Sequence, residues 1–331
     1  MDSLIYIKNS KKYYNLLESN ETLKKGYNLS HLLKNSHLQS FCDLLLPTLP
    51  KIKYISEKIK IIENDFIYIH WAPLPDNIEG TIILCPGITG SQYDTYITTI
   101  IYLLLENNYQ CAVLTERYCD NKYAEKFTNW ADDLDIEIVI KHIYEKIKIK
   151  RLFGIGFSGG GNRLIKICSK LEKNNLYLFS GIFSISNACD MKKNTKYVDN
   201  YQTLYSYIMT IYVSFILQKC KLCLISEYTD YISKTFCKYK NLDEYFDKLS
   251  CINDLENIKT PLIMLMSQDD HLLCNNVISD IKNKCENNDN IILIITKYGG
   301  HMQFREKVDF FEVDKCKFKN NLILDFIKKM K

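Results

Sequence analysis

Arg151-Leu152-Phe153-Gly154-Ile155-Gly156-Phe157-Ser158-Gly159-Gly160-Gly161-Asn162 is the stretch on which the reading of the chain turns. Arg151–Ile155 is a short, mostly apolar run, Gly156-x-Ser158-x-Gly160 follows at once, and a helical pattern begins near Gly161-Asn162. A short apolar run, a glycine-crowded turn and a helix in direct succession predict a buried strand bent sharply into a helix. Such a turn has no room for Cβ atoms beside the serine. It lifts the Ser158 hydroxyl above the end of the strand and aims the positive end of the helix dipole at it. The competing glycine loops fit less well. A P-loop ends in Gly-Lys-Ser/Thr, and no Lys follows here; a dinucleotide-binding loop belongs beside the first strand, not in mid-chain.

The same punctuation recurs outward from this point. Glycine is scarce, twelve in the whole chain, and it gathers at Gly87 and Gly90, at Gly154–Gly161, and at Gly299-Gly300. Each cluster follows a short apolar run: Thr81–Cys85, Arg151–Ile155 and Ile291–Thr296. Asp65–Trp71, Cys111–Thr115, Gly181–Ser186 and Pro261–Ser267 complete a set of predicted strands. Helical patterns lie between runs, at Tyr93–Glu106, Asp132–Lys148, Asn162–Glu172 and Val277–Asn287. Alternation of this kind predicts parallel βαβ units in a mostly parallel, doubly wound α/β sheet. The stretch 187–250 breaks the rhythm. It lacks Gly and Pro, is aromatic and Lys-rich, and is expected to be a helical cap insertion over the carboxyl edge of the sheet, where open α/β sheets bind ligands. Residues 1–60 are expected to form an arm of short helices, and 61–331 the main domain.

Composition bounds the rest. The 331 residues are 47% apolar, enough for a large core and incompatible with wholesale disorder. The formal charge of +4 argues against a nucleic-acid-binding scaffold. Thirteen cysteines, an odd number spread along the chain and often inside apolar runs, fit reduced buried thiols in an intracellular protein. The one Cys-x-x-Cys, Cys220 to Cys223, has no second pair or His at zinc spacing, so no metal is expected. The N-terminus lacks the basic start and apolar run of a signal peptide, and the longest apolar stretch, Leu204–Leu217, is broken by Ser206, Thr210 and Ser214. A cytoplasmic protein is expected, with peripheral membrane contact left open.

A serine hydroxyl needs a base to act as a nucleophile. Of six histidines, His301 alone follows a strand through a glycine pair, which suits an imidazole reaching across to a neighbouring strand end. His271, directly after two acids, is its competitor. The orienting carboxylate is expected at a strand end between nucleophile and base, in the order Ser, Asp, His. Pro261–Ser267 ends in Gln268-Asp269-Asp270, and Asp270 is preferred over Asp269. Two backbone N–H groups are needed for an oxyanion. Gly159 and Ile88, the latter in Pro86-Gly87-Ile88-Thr89-Gly90, are the expected donors.

With these residues placed, the chain resembles the α/β-hydrolase superfamily, and within it the type-4 AB hydrolase family of lipid esterases and medium-chain alcohol acyltransferases. Asn35–Ser40 resembles that family's Asn-x-His-Leu-Gln-Thr, Asp65–Trp71 its Asp-x-x-x-x-Asp-Trp strand, and Pro86–Ser91 its oxyanion loop. Gly156–Asn162 resembles its elbow, and Asp269-Asp270 with Gly299-Gly300-His301 completes the set. The chain departs from the pattern at Tyr118 after Arg117, at Glu63-Asn64-Asp65, at Gly159 where a bulky residue is usual, and at His271 where Pro is usual. The resemblance implies a serine hydrolase that cleaves carboxylic esters of acyl lipids or medium-chain acids through an acyl-enzyme, with no cofactor. The same residues would serve an acyltransferase that passes the acyl group to an alcohol, and a catalytically silent binding protein of this fold is the alternative of another class.

Overall fold

Ile82-Ile83-Leu84-Cys85 shows how the chain buries both sides of a sheet. In the computed structural model, which describes residues 4–8, 11–41, 49–62, 65–117, 131, 133–149, 151–216, 223–235, 237–307 and 317–330, all four lie in the buried strand β4, Gly80–Cys85. Successive side chains of a strand point to opposite faces. Ile82 and Leu84 therefore pack with the helices Thr95–Glu106 and Lys317–Lys329. Ile83 and Cys85 pack with Leu134–Lys146, Gly159–Lys173 and Asn275–Glu286 on the other side. The helices thus cover both faces, which is why the central strands read as continuous apolar runs.

The remaining strands are β1 (Leu4–Ile7), β2 (Ile55–Ile62), β3 (Asp65–Trp71), β5 (Tyr109–Leu114), β6 (Leu152–Phe157), β7 (Gly181–Ile185), β8 (Leu262–Ser267) and β9 (Ile291–Thr296). They form one nine-stranded sheet in the order β1-β9-β8-β7-β6-β4-β5-β3-β2. The pairs from β5 through β4, β6, β7 and β8 to β9 are parallel. Pairs β1–β9, β2–β3 and β3–β5 are antiparallel. From β4 the chain moves outward to β5 and then returns to the other side of β4 with β6. The strand order reverses there, and a crevice opens at the carboxyl ends.

The stretch 1–60 differs from the expected helical arm. Its two ends supply the edge strands β1 and β2, between which the described helices are short. β1 has four residues, too few to show a period. β2 reads Ile-Ser-Glu-Lys-Ile-Lys-Ile-Ile, whose charges hide it as a strand but suit an edge that must not pair with another chain.

Between β7 and β8 lie four described helices, Met191–Tyr201, Thr203–Ile216, Ile225–Thr235 and Leu242–Leu249. Buried Asp199 knits three of them. One oxygen accepts from the Ser206 hydroxyl at 2.5 Å and the Ile225 N–H at 3.0 Å, and the other accepts from the Ser226 N–H at 3.0 Å. The polar breaks in the apolar stretch from Leu204 thereby find their reason. Ser206, Thr210 and Ser214 face inward and are buried, and Thr210 donates to the Cys223 carbonyl at 2.8 Å. This layer is pinned to the core by Asn162, whose side chain donates to the Leu249 carbonyl at 2.6 Å and accepts from the Cys251 N–H at 3.0 Å. Among the described residues no helix is long and apolar enough to cross a membrane. Cys223 is buried, while Cys220, the other cysteine of the Cys-x-x-Cys, lies outside the described residues, as do Glu63, Asn64 and Tyr118.

Candidate active site

β6 delivers Ser158 to the crevice in a conformation few residues adopt. Its φ is 50° and ψ −121°, and it directly precedes the helix Gly159–Lys173. A non-glycine residue at positive φ is strained, and such strain persists only when the surroundings enforce it. They do so here through close backbone approach. A Cβ on Gly160 would lie 2.2 Å from the Cys85 carbonyl oxygen, and one on Gly156 would lie 2.5 Å from the Cα of Gly161. The Ser158 N–H is fastened to the Ile185 carbonyl of β7 at 2.8 Å.

Two loops from neighbouring strands meet the hydroxyl. His301, beyond β9, has its Nε2 3.1 Å from Ser158 Oγ. Its Nδ1 lies 2.8 Å and 3.1 Å from the two oxygens of Asp270, beyond β8. The Asp270 carboxylate is fully buried and also accepts from the Leu272 N–H at 2.9 Å. A carboxylate on Nδ1 selects the tautomer that carries its proton there, which leaves the Nε2 lone pair for the serine hydroxyl.

Asp269, the other acid, points elsewhere. One oxygen accepts from the Gly300 N–H at 3.0 Å, and burial pushes its pKa up to about 6. His271, the competing base, is buried among rings. Its centroid lies 4.5 Å from that of Tyr205 and 4.7 Å from that of His37. Desolvation drives its pKa down to about 4, with Asp270 acting against that shift and His301 and His37 adding to it.

The expected oxyanion donors are adjacent. A Cβ on Gly159 would lie 3.7 Å from the Ile88 nitrogen, and neither N–H donates a hydrogen bond among the described residues. Gly159 also explains its own smallness, because that Cβ would stand 2.9 Å from the Ile88 side chain. Ile88 fills the space that a larger residue after the serine would take.

The His301 loop is fixed by groups that the motif reading did not assign. Ser40 accepts from the His301 N–H at 2.9 Å, Ser267 donates to the Gly300 carbonyl at 2.9 Å, and Ser186 accepts from the Met302 N–H at 3.0 Å. Lys319 donates to the Met302 carbonyl at 2.9 Å. Ser40 closes the quoted stretch Asn35–Ser40, so a signal existed for it. Ser186, Ser267 and Lys319 carry no local pattern and come together only in the fold.

Above Ser158 and His301 a cavity of about 130 Å³ extends under the helices of 191–249, with mostly apolar walls that include Met209, Val213, Ile225, Ile232 and Leu272. Such a site can seat an acyl chain with its carbonyl at the serine.

Comparison with known proteins agrees with this architecture. No family model matches the chain. It is 26% identical over 254 residues to Abhydrolase domain-containing protein 2 of Drosophila melanogaster, covering 68% of this chain and 64% of that protein. It is 24% identical to human Phospholipase ABHD3, covering 78% and 68%, and 21% identical to human Monoacylglycerol lipase ABHD2, covering 71% and 63%. The chain thus spans about two thirds of the length of these relatives. Among solved structures, the esterase Pf2001 of Pyrococcus furiosus matches with a TM-score of 0.58 at 19% identity, over 86% of this chain and 98% of that one. The acylaminoacyl peptidase of Pyrococcus horikoshii matches with a TM-score of 0.58 at 16% identity, over 85% and 42%. The nine-stranded, mostly parallel sheet and these similarities show that the chain has the α/β-hydrolase fold and is similar in sequence to ABHD proteins.

Proposed function

We propose that the chain is a serine hydrolase of carboxylic esters, acting on acyl lipids or medium-chain acyl esters, with Ser158, His301 and Asp270 as its triad. The observation that carries this reading is the continuous contact from Ser158 Oγ through both nitrogens of His301 to Asp270, at the mouth of an apolar cavity. His301 Nε2 takes the Ser158 proton as the hydroxyl attacks the ester carbonyl. Asp270 stabilises the imidazolium that forms, and the Ile88 and Gly159 N–H groups hold the oxyanion. The alcohol leaves with the proton from His301, and water then releases the acid from the acyl-enzyme by the same steps. Relatives named phospholipase and monoacylglycerol lipase support a lipid-like ester, and the apolar walls support an acyl chain. In this reading 191–249 caps the site, and an alcohol in place of water would turn the same chemistry into acyl transfer.

The test is labelling by a fluorophosphonate together with turnover of a chain-length series of 4-nitrophenyl esters, with and without added ethanol. Labelling should vanish in Ser158→Ala. Full labelling of that variant would place the nucleophile elsewhere, and ethyl ester as the main product would make transfer the principal reaction.

Peripheral membrane contact is part of the same proposal. The outer face of Thr203–Ile216 exposes Leu204, Ile208 and Ile211, preceded by Tyr201, at 46–77% of their surface. The spacing sets Leu204, Ile208 and Ile211 on one face of a helix whose Met209, Thr210 and Val213 line the cavity. Co-sedimentation with phosphatidylcholine vesicles should fall when Leu204 and Ile208 are both replaced by Ser.

A further inference from the structure

The helix that starts at the elbow carries a cation into the apolar cavity. Arg163 lies one position beyond the motif that ends at Asn162 and lines the same cavity as Ser158, Gly159 and His301. It also lines a smaller adjoining pocket formed by Cys85, Gly87 and Gly90 beneath the oxyanion loop. Arg163 thus borders both the chamber that receives the ester and the pocket beside the loop expected to hold its oxyanion, and Glu116 lines both as well.

Arg163 is half-buried, and part of its hydrogen-bonding capacity is unspent. The Nε is buried and has no partner, and among the described residues Arg163 forms no ion pair with any carboxylate. Two buried cations elsewhere in the fold, Arg117 and Lys166, differ from half-buried Arg163 in this respect. Arg117 bonds Asp65 and Asp135, and Lys166 bonds the carbonyls of Ala131 and Lys248. An arginine cannot shed its charge, and leaving its buried Nε without an acceptor is unfavourable unless something else supplies one. The planar fork of a guanidinium matches the paired oxygens of a phosphate or a carboxylate, and such a pair strengthens in a low-dielectric site.

We propose that Arg163 forms an anion subsite beside Ser158, and that the preferred substrates are esters bearing an acidic oxyanion group, phosphate or carboxylate, within reach of the reacting carbonyl. The proposal rests on the hydrolase reading for its reaction but not for its binding site. An alkyl chain then lies along Met209, Val213 and Ile232 while the acid meets Arg163, so one molecule satisfies both walls.

Two measurements test it. The first is binding to Ser158→Ala protein, which needs no turnover: decyl phosphate, decanoate, decanol and inorganic phosphate are titrated calorimetrically. Decyl phosphate or decanoate should bind at least tenfold more tightly than decanol, and Arg163→Gln should abolish that difference while Arg163→Lys restores part of it. Binding of inorganic phosphate as tight as that of decyl phosphate would assign the site to free phosphate and overturn the substrate proposal. The second is the ratio of kcat/KM for 1-decanoylglycerol phosphate to that for 1-decanoylglycerol, with decanoyl glycolate against decanoyl ethanol ester as the carboxylate arm. Arg163→Gln should lower at least one ratio tenfold or more, mainly through KM. Equal binding of acids and alcohol by the otherwise unaltered Ser158→Ala chain would overturn the subsite even if no Arg163 variant folded. Loss of all ester turnover together with loss of fluorophosphonate labelling would instead count against the hydrolase reading alone.

Discussion

Asp269 and Asp270 are neighbours in sequence with opposite duties. Asp270 meets His301 Nδ1, whereas Asp269 accepts the Gly300 N–H and so holds the loop that carries His301. Asp270→Asn can leave the imidazole in the wrong tautomer, a loss of about 10⁴ in kcat for the analogous change in serine proteases. Asp269→Asn keeps an acceptor for Gly300 and should cost less than about tenfold by the same logic, since the tautomer is untouched. Ester turnover of the two variants ranks them, and the reverse order would move the acid to Asp269. His301→Ala should remove the base, whereas His271→Ala should leave most activity, because the His271 ring packs on His37 and Tyr205. His271 also sets a pH dependence of stability. Below about pH 6.5 the unfolded chain protonates this histidine, and the folded chain resists until about pH 4. Its contribution is therefore complete above pH 6.5 and is lost as pH falls toward 4. His271→Gln should flatten the decline of Tm between pH 7 and pH 4.5, and an unchanged slope would assign acid lability to other groups.

At the scale of elements, two backbone arrangements depend on single side chains. The elbow needs Gly160 because the Cys85 carbonyl stands where its Cβ would be. The atom in the way is backbone of β4, which cannot rotate aside as a side chain can. Gly160→Ala should therefore shift the elbow helix off the sheet, with activity lost and Tm lowered by several degrees in a thermal scan. Among the helices of 191–249 the corresponding part is Asp199. Replacing it by Ala leaves the Ile225 and Ser226 N–H groups and the Ser206 hydroxyl without this acceptor, at about 1–3 kcal/mol for each group that finds no other partner. Hydrogen exchange should then rise in 203–235 while the central strands stay protected. Uniform exchange across the chain would show that these helices are not a separate unit of stability.

Across the whole molecule, the loop after β5 is tied to both sides of the sheet edge by one guanidinium. Arg117 bonds Asp65 at the start of β3 and both oxygens of Asp135 in the helix Leu134–Lys146, and all three side chains are buried. Arg117→Met would strand two carboxylates, and breaking a buried pair from one side costs about 3–5 kcal/mol. The midpoint of urea unfolding should fall accordingly, and a variant of unchanged midpoint would show that the carboxylates find water or other partners. Much of this architecture is legible along the chain. The runs Ile82–Cys85, Leu262–Ser267 and Ile291–Thr296 are buried on both faces, so their apolar character is continuous and local. The elbow is equally local, since its glycines answer to contacts within a few residues and with one neighbouring strand. β2 was hidden because an edge strand needs little apolar surface and gains from charge. Position along the chain favours Asp270 over Asp269, but the hydrogen bond of Asp269 to the Gly300 N–H could not be read from spacing, since adjacent side chains diverge only once β8 and β9 are in register. The grip of Ser40, Ser186, Ser267 and Lys319 on the His301 loop joins residues far apart in the chain. The place of Arg163 on the cavity wall likewise depends on the fold, which brings it beside Ser158, His301 and Glu116. Local sequence determined the strands, the elbow and the types of the reacting groups, because those follow from periodicity and backbone sterics within a short span. Tertiary structure alone decided what the second acid, Asp269, holds and which cation lines the cavity, because hydrogen-bond partners are chosen by distance in space.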